Sequence, residues 1–86
     1  MKLSVVIPVY NEAATIETVL ARVQAFDGET EIIVIDDGST DGTRDVLSRD
    51  AFRAANVTVL IHDTNRGKGA ALRTGFANVS GDIVVI

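Results

Sequence analysis

Glu31-Ile32-Ile33-Val34-Ile35-Asp36-Asp37-Gly38-Ser39-Thr40-Asp41-Gly42 is an aliphatic run that ends on two adjacent carboxylates and a glycine-containing turn. Its four successive β-branched residues favour a strand, and the lack of polar alternation places that strand between two covered faces, as in a parallel sheet. Gly38, Ser39 and Gly42 are turn formers, and Thr40 or Asp41 can cap a second helix running through Val46, Leu47 and Phe52. Upstream, Leu3 to Val9 is another continuous apolar run, broken at Pro8-Val9-Tyr10-Asn11. Asn11 reads as an N-cap with Glu12 in the first turn, and Ile16, Val19, Leu20, Val23 and Phe26 recur at helical spacing up to Asp27-Gly28. Downstream, Asn56 to Ile61 reads as a third strand and Asp63 to Gly69 as a loop. Ala70 to Asn78 follows as a third helix with Leu72 and Phe76 inward, and Asp82 to Ile86 as a fourth strand. Strands alternating with helices of about ten residues give an α/β fold with a Rossmann-like parallel sheet, as one domain over residues 1–86.

Composition narrows the function classes. At 86 residues, 47% of them hydrophobic, with mean hydropathy +0.25, the chain is globular rather than disordered. The net charge of −4 argues against general nucleic-acid binding, which needs clustered Lys and Arg to neutralise phosphates. The basic residues Arg66, Lys68 and Arg73 nevertheless fall close together, apart from the acidic Asp36, Asp37 and Asp41. Without cysteine there is neither a disulfide nor a thiolate metal site. The N-terminus lacks the apolar region and cleavage site of a signal peptide, so no export is expected. No apolar run approaches the roughly 20 residues that span a bilayer.

In an open parallel sheet, ligands bind beyond the carboxyl ends of the strands, where loops diverge and helix N-termini present their amides. The polar clusters sit at those ends: residues 8–12 after the first strand, 36–43 after the second and 62–69 after the third. All three are expected to face one crevice. Two adjacent carboxylates at the end of a buried strand need partners, and on an extended backbone they point to opposite faces. One is therefore expected to face a ligand while the other serves the turn. Turn and capping duty for both is the plainer alternative. Tyr10 offers a face for stacking or for packing, and Glu12 serves either a ligand or the helix dipole. His62, with no nucleophile visibly paired to it, is read as structural or solvent-exposed.

Two familiar motifs are incomplete. Residues 37–42 begin like an EF-hand loop, but Ser39 replaces a ligand and Ser48 stands where the bidentate Glu belongs. Arg66-Gly67-Lys68-Gly69 pairs cations with glycines before a helix, which suits an anionic ligand, yet it lacks the earlier glycine and the Ser or Thr of a P-loop.

Three blocks in order carry a more specific signal: Val5-Val6-Ile7-Pro8-Val9-Tyr10-Asn11-Glu12, Ile33-Val34-Ile35-Asp36-Asp37-Gly38-Ser39-Thr40-Asp41-Gly42-Thr43, and Asn65-Arg66-Gly67-Lys68-Gly69-Ala70-Ala71-Leu72. Together they resemble the opening blocks of family 2 glycosyltransferases, especially the dolichyl-phosphate and polyprenyl-phosphate sugar transferases. The resemblance implies a glycosyltransferase A-type fold and an inverting transferase that uses a nucleotide-sugar, GDP- or UDP-linked, with a lipid phosphate or glycan as acceptor. It implies that Pro8, Tyr10 and Glu12 line the nucleoside pocket, that Ile35 flanks the base and that Asp37 contacts base or ribose. Asp36 would be structural, and Lys68, with Arg66, would lie near the nucleotide. It also implies Mg2+ or Mn2+ held by an Asp-x-Asp motif after the fourth strand. That motif is expected beyond Ile86, together with the catalytic base and the acceptor site, so the chain reads as an N-terminal part that is inactive alone. A cytoplasmic setting, at the membrane face in the intact protein, goes with this reading. Two rivals remain at this stage. One is a receiver-like or other non-catalytic nucleotide-binding module, although in receivers the acid pair follows the first strand. The other is a dinucleotide-dependent oxidoreductase, which would need a glycine fingerprint after the first strand.

Overall fold

The computed structural model describes residues 2–86. Four parallel strands, β1 (Lys2–Val9), β2 (Glu29–Asp37), β3 (Val57–His62) and β4 (Asp82–Val85), form one sheet in the order β3-β2-β1-β4. The helices are α1 (Ile16–Gln24), α2 (Thr43–Leu47) and α3 (Lys68–Phe76), with a 3-10 turn at Asp50–Arg53. The two central strands, β1 and β2, are the ones buried over most of their length, as expected for strands with both faces covered.

Strand alternation distributes the core. Val5, Ile7, Val9, Ile32 and Val34 project to one face and pack against Ile16, Leu20 and Val23 of α1, Val46 and Leu47 of α2, and Phe52. Val6, Ile33 and Ile35 project to the other and meet Ala71 of α3, flanked by Leu60, Leu72 and Val79. The second interface is thin, since α3 buries only small residues, Ala71 and Gly75. At Gly75 an added Cβ would lie 2.6 Å from Val6 Cγ1 and 2.9 Å from Ile35 Cδ1, so glycine sets how closely α3 approaches the sheet.

The parallel α/β architecture agrees with the expectation from sequence, and four local readings change. Asn11 is not an N-cap: its φ is 53°, its side chain is used elsewhere, and α1 begins only at Ile16. The second helix does not run to Phe52. It ends at Leu47, where the Ser48 hydroxyl donates to the Asp45 carbonyl at 2.6 Å and competes with continued helix; Phe52 reaches the core from the 3-10 turn instead. The third helix starts two residues earlier than expected, and Phe76 points outward, 41% exposed. The fourth strand lies at the sheet edge, exposed along its whole length.

Below the sheet, Glu31 fastens the turn before β4. Its Oε1 accepts from the Ser4 hydroxyl at 2.7 Å and from the Ser80 backbone N–H at 2.6 Å, while the Ser4 oxygen accepts from the Gly81 N–H at 2.9 Å. The Ser4 hydrogen bond, with the Ser80 N–H and the charge of Lys2, holds Glu31 below its ordinary pKa against some opposition from desolvation.

Candidate functional site

The opposite parity of Asp36 and Asp37 decides what each does. Asp36 shares parity with Ile32 and Val34 and faces the α1–α2 side, fully buried. There its Oδ1 accepts from the Ser39 N–H at 3.0 Å and its Oδ2 from Arg44 Nε at 3.0 Å. The same guanidinium donates to the His62 carbonyl at 2.7 Å, so Arg44 neutralises a buried charge and joins the ends of β2 and β3. Asp36 is thus a structural carboxylate.

Asp37 faces the α3 side. His62 is its partner in the β2–β3 register, and the ring Nδ1 lies 2.9 Å from Asp37 Oδ1. The same oxygen accepts the Arg66 N–H at 2.9 Å, and Oδ2 accepts the Gly67 N–H at 2.9 Å. Burial pushes the Asp37 carboxyl up, but the N–H of Arg66, the His62 ring and the N–H of Gly67 outweigh it and hold the group below the usual carboxylate range. A carboxylate has about four lone-pair positions, so one on Oδ2 is not taken by these three donors.

The loops after β1 and β2 are laced together by four hydrogen bonds. Asn11 N–H donates to Ser39 Oγ at 2.9 Å and Asn11 Oδ1 accepts the Thr40 N–H at 2.8 Å. Glu12 N–H donates to Thr43 Oγ1 at 3.1 Å, and Ala13 N–H to Asp41 Oδ2 at 3.2 Å. Asp41 also takes both the N–H and the hydroxyl of Thr43. The Thr43 hydroxyl, with the Ala13 and Thr43 amides, holds Asp41 below its ordinary pKa despite an opposing desolvation.

A crevice of about 320 Å³ opens at the carboxyl ends of the strands, lined by Pro8, Tyr10, Glu12, Asp37, Gly67 and Lys68 among others. Segments after three different strands meet there, as the order of the polar clusters predicts. Tyr10 is half-exposed, with a face free to stack. Glu12 stands at the lip, its Oε2 holding the Thr15 hydroxyl at 2.8 Å and its carbonyl accepting the N–H of Thr15 and Ile16, so it also starts α1. Lys68 opens α3 and makes no ion pair among the described residues. Its charge adds to the positive end of that helix.

Ile35 is not brought to this crevice. It is fully buried beneath α3, against Gly75; Ala71 lines the pocket above it. Arg66 contributes its backbone N–H to Asp37, while its side chain is not part of the lining. Sequence reasoning missed Arg44 and the Asn11 lacing, and it left His62 without a partner. The β2–β3 register would have exposed the last, since it sets His62 beside Asp37.

The crevice does not fit a divalent cation. Its acidic lining is only two carboxylates, Glu12 and Asp37, and Asp37 already accepts from three donors. No group of three or more His, Cys, Asp or Glu side chains among the described residues is arranged to hold a metal ion. Among the described residues no helix is long and apolar enough to cross a membrane.

Comparison with known proteins places the family and the fold. The undecaprenyl-phosphate 4-deoxy-4-formamido-L-arabinose transferase of Pseudomonas syringae pv. syringae is 41% identical over 95% of this chain, and that of Serratia proteamaculans is 39% identical over 98%. The chain spans only 26% and 27% of those two relatives. Among solved structures, a mannosyltransferase from Pyrobaculum calidifontis in complex with GDP-Man and Mn2+ superposes with a TM-score of 0.82 at 33% identity, over 92% of this chain and 24% of that one. S. aureus TarS gives 0.83 at 29% identity, over 100% of this chain and 16% of that one. The sheet is accordingly that of glycosyltransferase A-type domains. The family model described as glycosyl transferase family 2 matches residues 4–86, and with its three strand-end loops meeting at one crevice the chain belongs to that family.

Proposed function

We propose that the crevice binds the nucleotide of a GDP- or UDP-sugar, as the donor-gripping part of an inverting transferase whose acceptor is a polyprenyl phosphate or a glycan. The observation that carries this reading is the convergence of Tyr10, Asp37 and Lys68, from three separate strand ends, on one crevice of about 320 Å³, a volume suited to a small ligand. In this reading the Tyr10 ring stacks on the base, and the free lone pair of Asp37 Oδ2 accepts from a base nitrogen or a ribose hydroxyl. Lys68 and the first amides of α3 face the diphosphate. Pro8 and Glu12 shape the wall. The Pyrobaculum protein in complex with GDP-Man and Mn2+ supports the donor class, and the names of the undecaprenyl-phosphate transferases support the acceptor class.

In the whole enzyme, Mg2+ or Mn2+ would assist departure of the nucleoside diphosphate and would draw its ligands from residues other than these. The acceptor oxygen would displace the nucleotide at the anomeric carbon in one step, its proton passing to a carboxylate that this chain does not supply. Such an enzyme acts in the cytoplasm, at the membrane face where a lipid phosphate is presented. The chain alone grips the donor and transfers nothing.

Calorimetric titration of the purified chain with GDP, UDP and NAD tests this. GDP or UDP should bind with one-to-one stoichiometry and NAD should not. Lys68→Ala should weaken binding roughly tenfold, the loss of about 1.4 kcal/mol from one charge-assisted interaction. Binding of NAD alone, or of none of the three, would contradict the reading.

A further inference from the structure

Like the structural carboxylate Asp36, His62 is a buried titratable side chain that the proposed donor site does not use directly. It is 6% exposed and held at both ring nitrogens, with Nδ1 at 2.9 Å from Asp37 Oδ1 and Nε2 at 2.8 Å from Thr74 Oγ1. The Asp37 carboxylate can only accept, so Nδ1 carries a proton and donates to it, while Nε2 pairs with the Thr74 hydroxyl. The His62 carbonyl is fixed as well, by Arg44, the partner of Asp36. Residue 62 therefore ties both carboxylates of the Asp36-Asp37 pair to the end of β3, and its ring extends the tie to the last turn of α3.

The consequence runs through Asp37. That carboxylate accepts the N–H of Arg66 and of Gly67, the two residues that precede α3 and bring Lys68 to the crevice. A carboxylate at a strand end can rotate about χ2, and the ring bond to Oδ1 selects the rotation in which Oδ1 meets Arg66 and Oδ2 meets Gly67. The Thr74 hydroxyl in turn fixes the ring against α3, so the strand, the loop and the helix share one hydrogen-bonded chain.

We propose that His62 is a positioning residue of the nucleotide crevice: clasped between Asp37 and Thr74, it orients the Asp37 carboxylate and thereby fixes the Arg66–Gly67 backbone and the entry of α3. Its effect on nucleotide affinity rests on the reading of the crevice given above, whereas its effect on the loop does not. Two readouts keep them apart. Amide hydrogen exchange by NMR on the free chain reports the loop, and titration with GDP and UDP reports the site. In His62→Leu, which donates nothing, the Arg66 and Gly67 amides should exchange roughly tenfold faster or more, with little change at Val34 in the core, as for loss of one hydrogen bond to a charged group. His62→Asn, whose amide nitrogen replaces the Nδ1 donor, should restore most of the protection. Thr74→Val should give a smaller, same-signed effect and serves if His62→Leu does not fold. Nucleotide affinity should fall in the same order.

Equal acceleration at Val34, Arg66 and Gly67, or no change at the two loop amides, would overturn the proposal, because His62 would then be a general packing residue. So would loosened loop amides with unaltered nucleotide affinity. If the unsubstituted chain binds neither GDP nor UDP, the donor reading fails, and the exchange data alone decide the role of His62.

Discussion

Gly38 and Gly42 both adopt positive φ, +76° and +95°, in the same loop, yet their surroundings differ. A Cβ on Gly38 would lie 2.4 Å from Asn65 N and 2.6 Å from Thr64 C, whereas one on Gly42 would meet nothing within 4 Å. Alanine at either position pays the left-handed backbone cost of about 1–2 kcal/mol, partly offset by roughly 0.4–1 kcal/mol from a stiffer unfolded chain. Gly42→Ala should therefore cost about 0.5–1 kcal/mol net. At Gly38 the obstacle is backbone, which no rotamer can relieve, so the 64–66 segment must withdraw. Withdrawal draws the Arg66 N–H off Asp37, a hydrogen bond to a charged group worth about 1.5–3 kcal/mol. Gly38→Ala should then cost about 2–4 kcal/mol, a large share of the roughly 4–13 kcal/mol typical of a chain of this length. With a urea slope near 1 kcal/mol/M for so small a domain, the unfolding midpoint should drop by about 2–4 M for Gly38→Ala and by about 1 M or less for Gly42→Ala. Urea titrations of the two variants, followed by far-UV circular dichroism, measure this directly. Equal midpoints would refute the argument that the Gly38 turn and the β3–α3 loop depend on each other.

Other parts of the structure give further expectations. Arg44→Ala should destabilise by about 2–3 kcal/mol in the same titration, below the range for a fully buried pair because Arg44 is partly exposed and Ser39 still serves Asp36; a cost under about 0.5 kcal/mol would show the pair to be a surface one. Gly75→Ala gains roughly 1 kcal/mol of helix propensity but overpacks Val6 and Ile35 by about 1–3 kcal/mol, so its melting temperature should fall, and a rise would mean that α3 can back away freely. Glu31, Asp37 and Asp41 all have folded pKa values below their unfolded ones. Their contribution is complete above the unfolded values near 4 and is lost as pH falls through the depressed folded values. The urea midpoint should hold from neutral pH to about 5 on account of these groups and drop below about pH 4, and a midpoint that rises on acidification would contradict the assigned hydrogen bonds.

The sheet was legible because its two central strands are continuous β-branched runs, and such runs have few other places to go than between two covered faces. The crevice was legible for a related reason: polar residues directly after a buried parallel strand fall at its carboxyl edge. What escaped the sequence was side-chain reach across loops. Asn11 has the composition of a helix cap, but its amide serves Thr40, 29 residues on, and nothing in the local spacing signals this. The family resemblance implied that Ile35 flanks the base, whereas strand parity and the close approach at Gly75 put it under α3. Phe76 kept the helical period of an inward residue, yet the register of α3 is set by Ala71 and Gly75, and a phenyl ring does not fit where glycine is required. The division of labour within the acid pair followed from alternation, while its partners, Arg44 and His62, needed the strand register.

The central claim, that the three strand-end loops form one nucleotide site, is tested most directly by a 15N-resolved NMR titration of the chain with GDP and with UDP. One of the two nucleotides should shift the amides of Tyr10, Glu12, Asp37, Gly67 and Lys68 together, along a single saturable curve, while Thr30, Asn56 and the exposed strand β4 stay in place. Shifts centred on β4 and the α1 face, or none at the strand ends with either nucleotide, would contradict it.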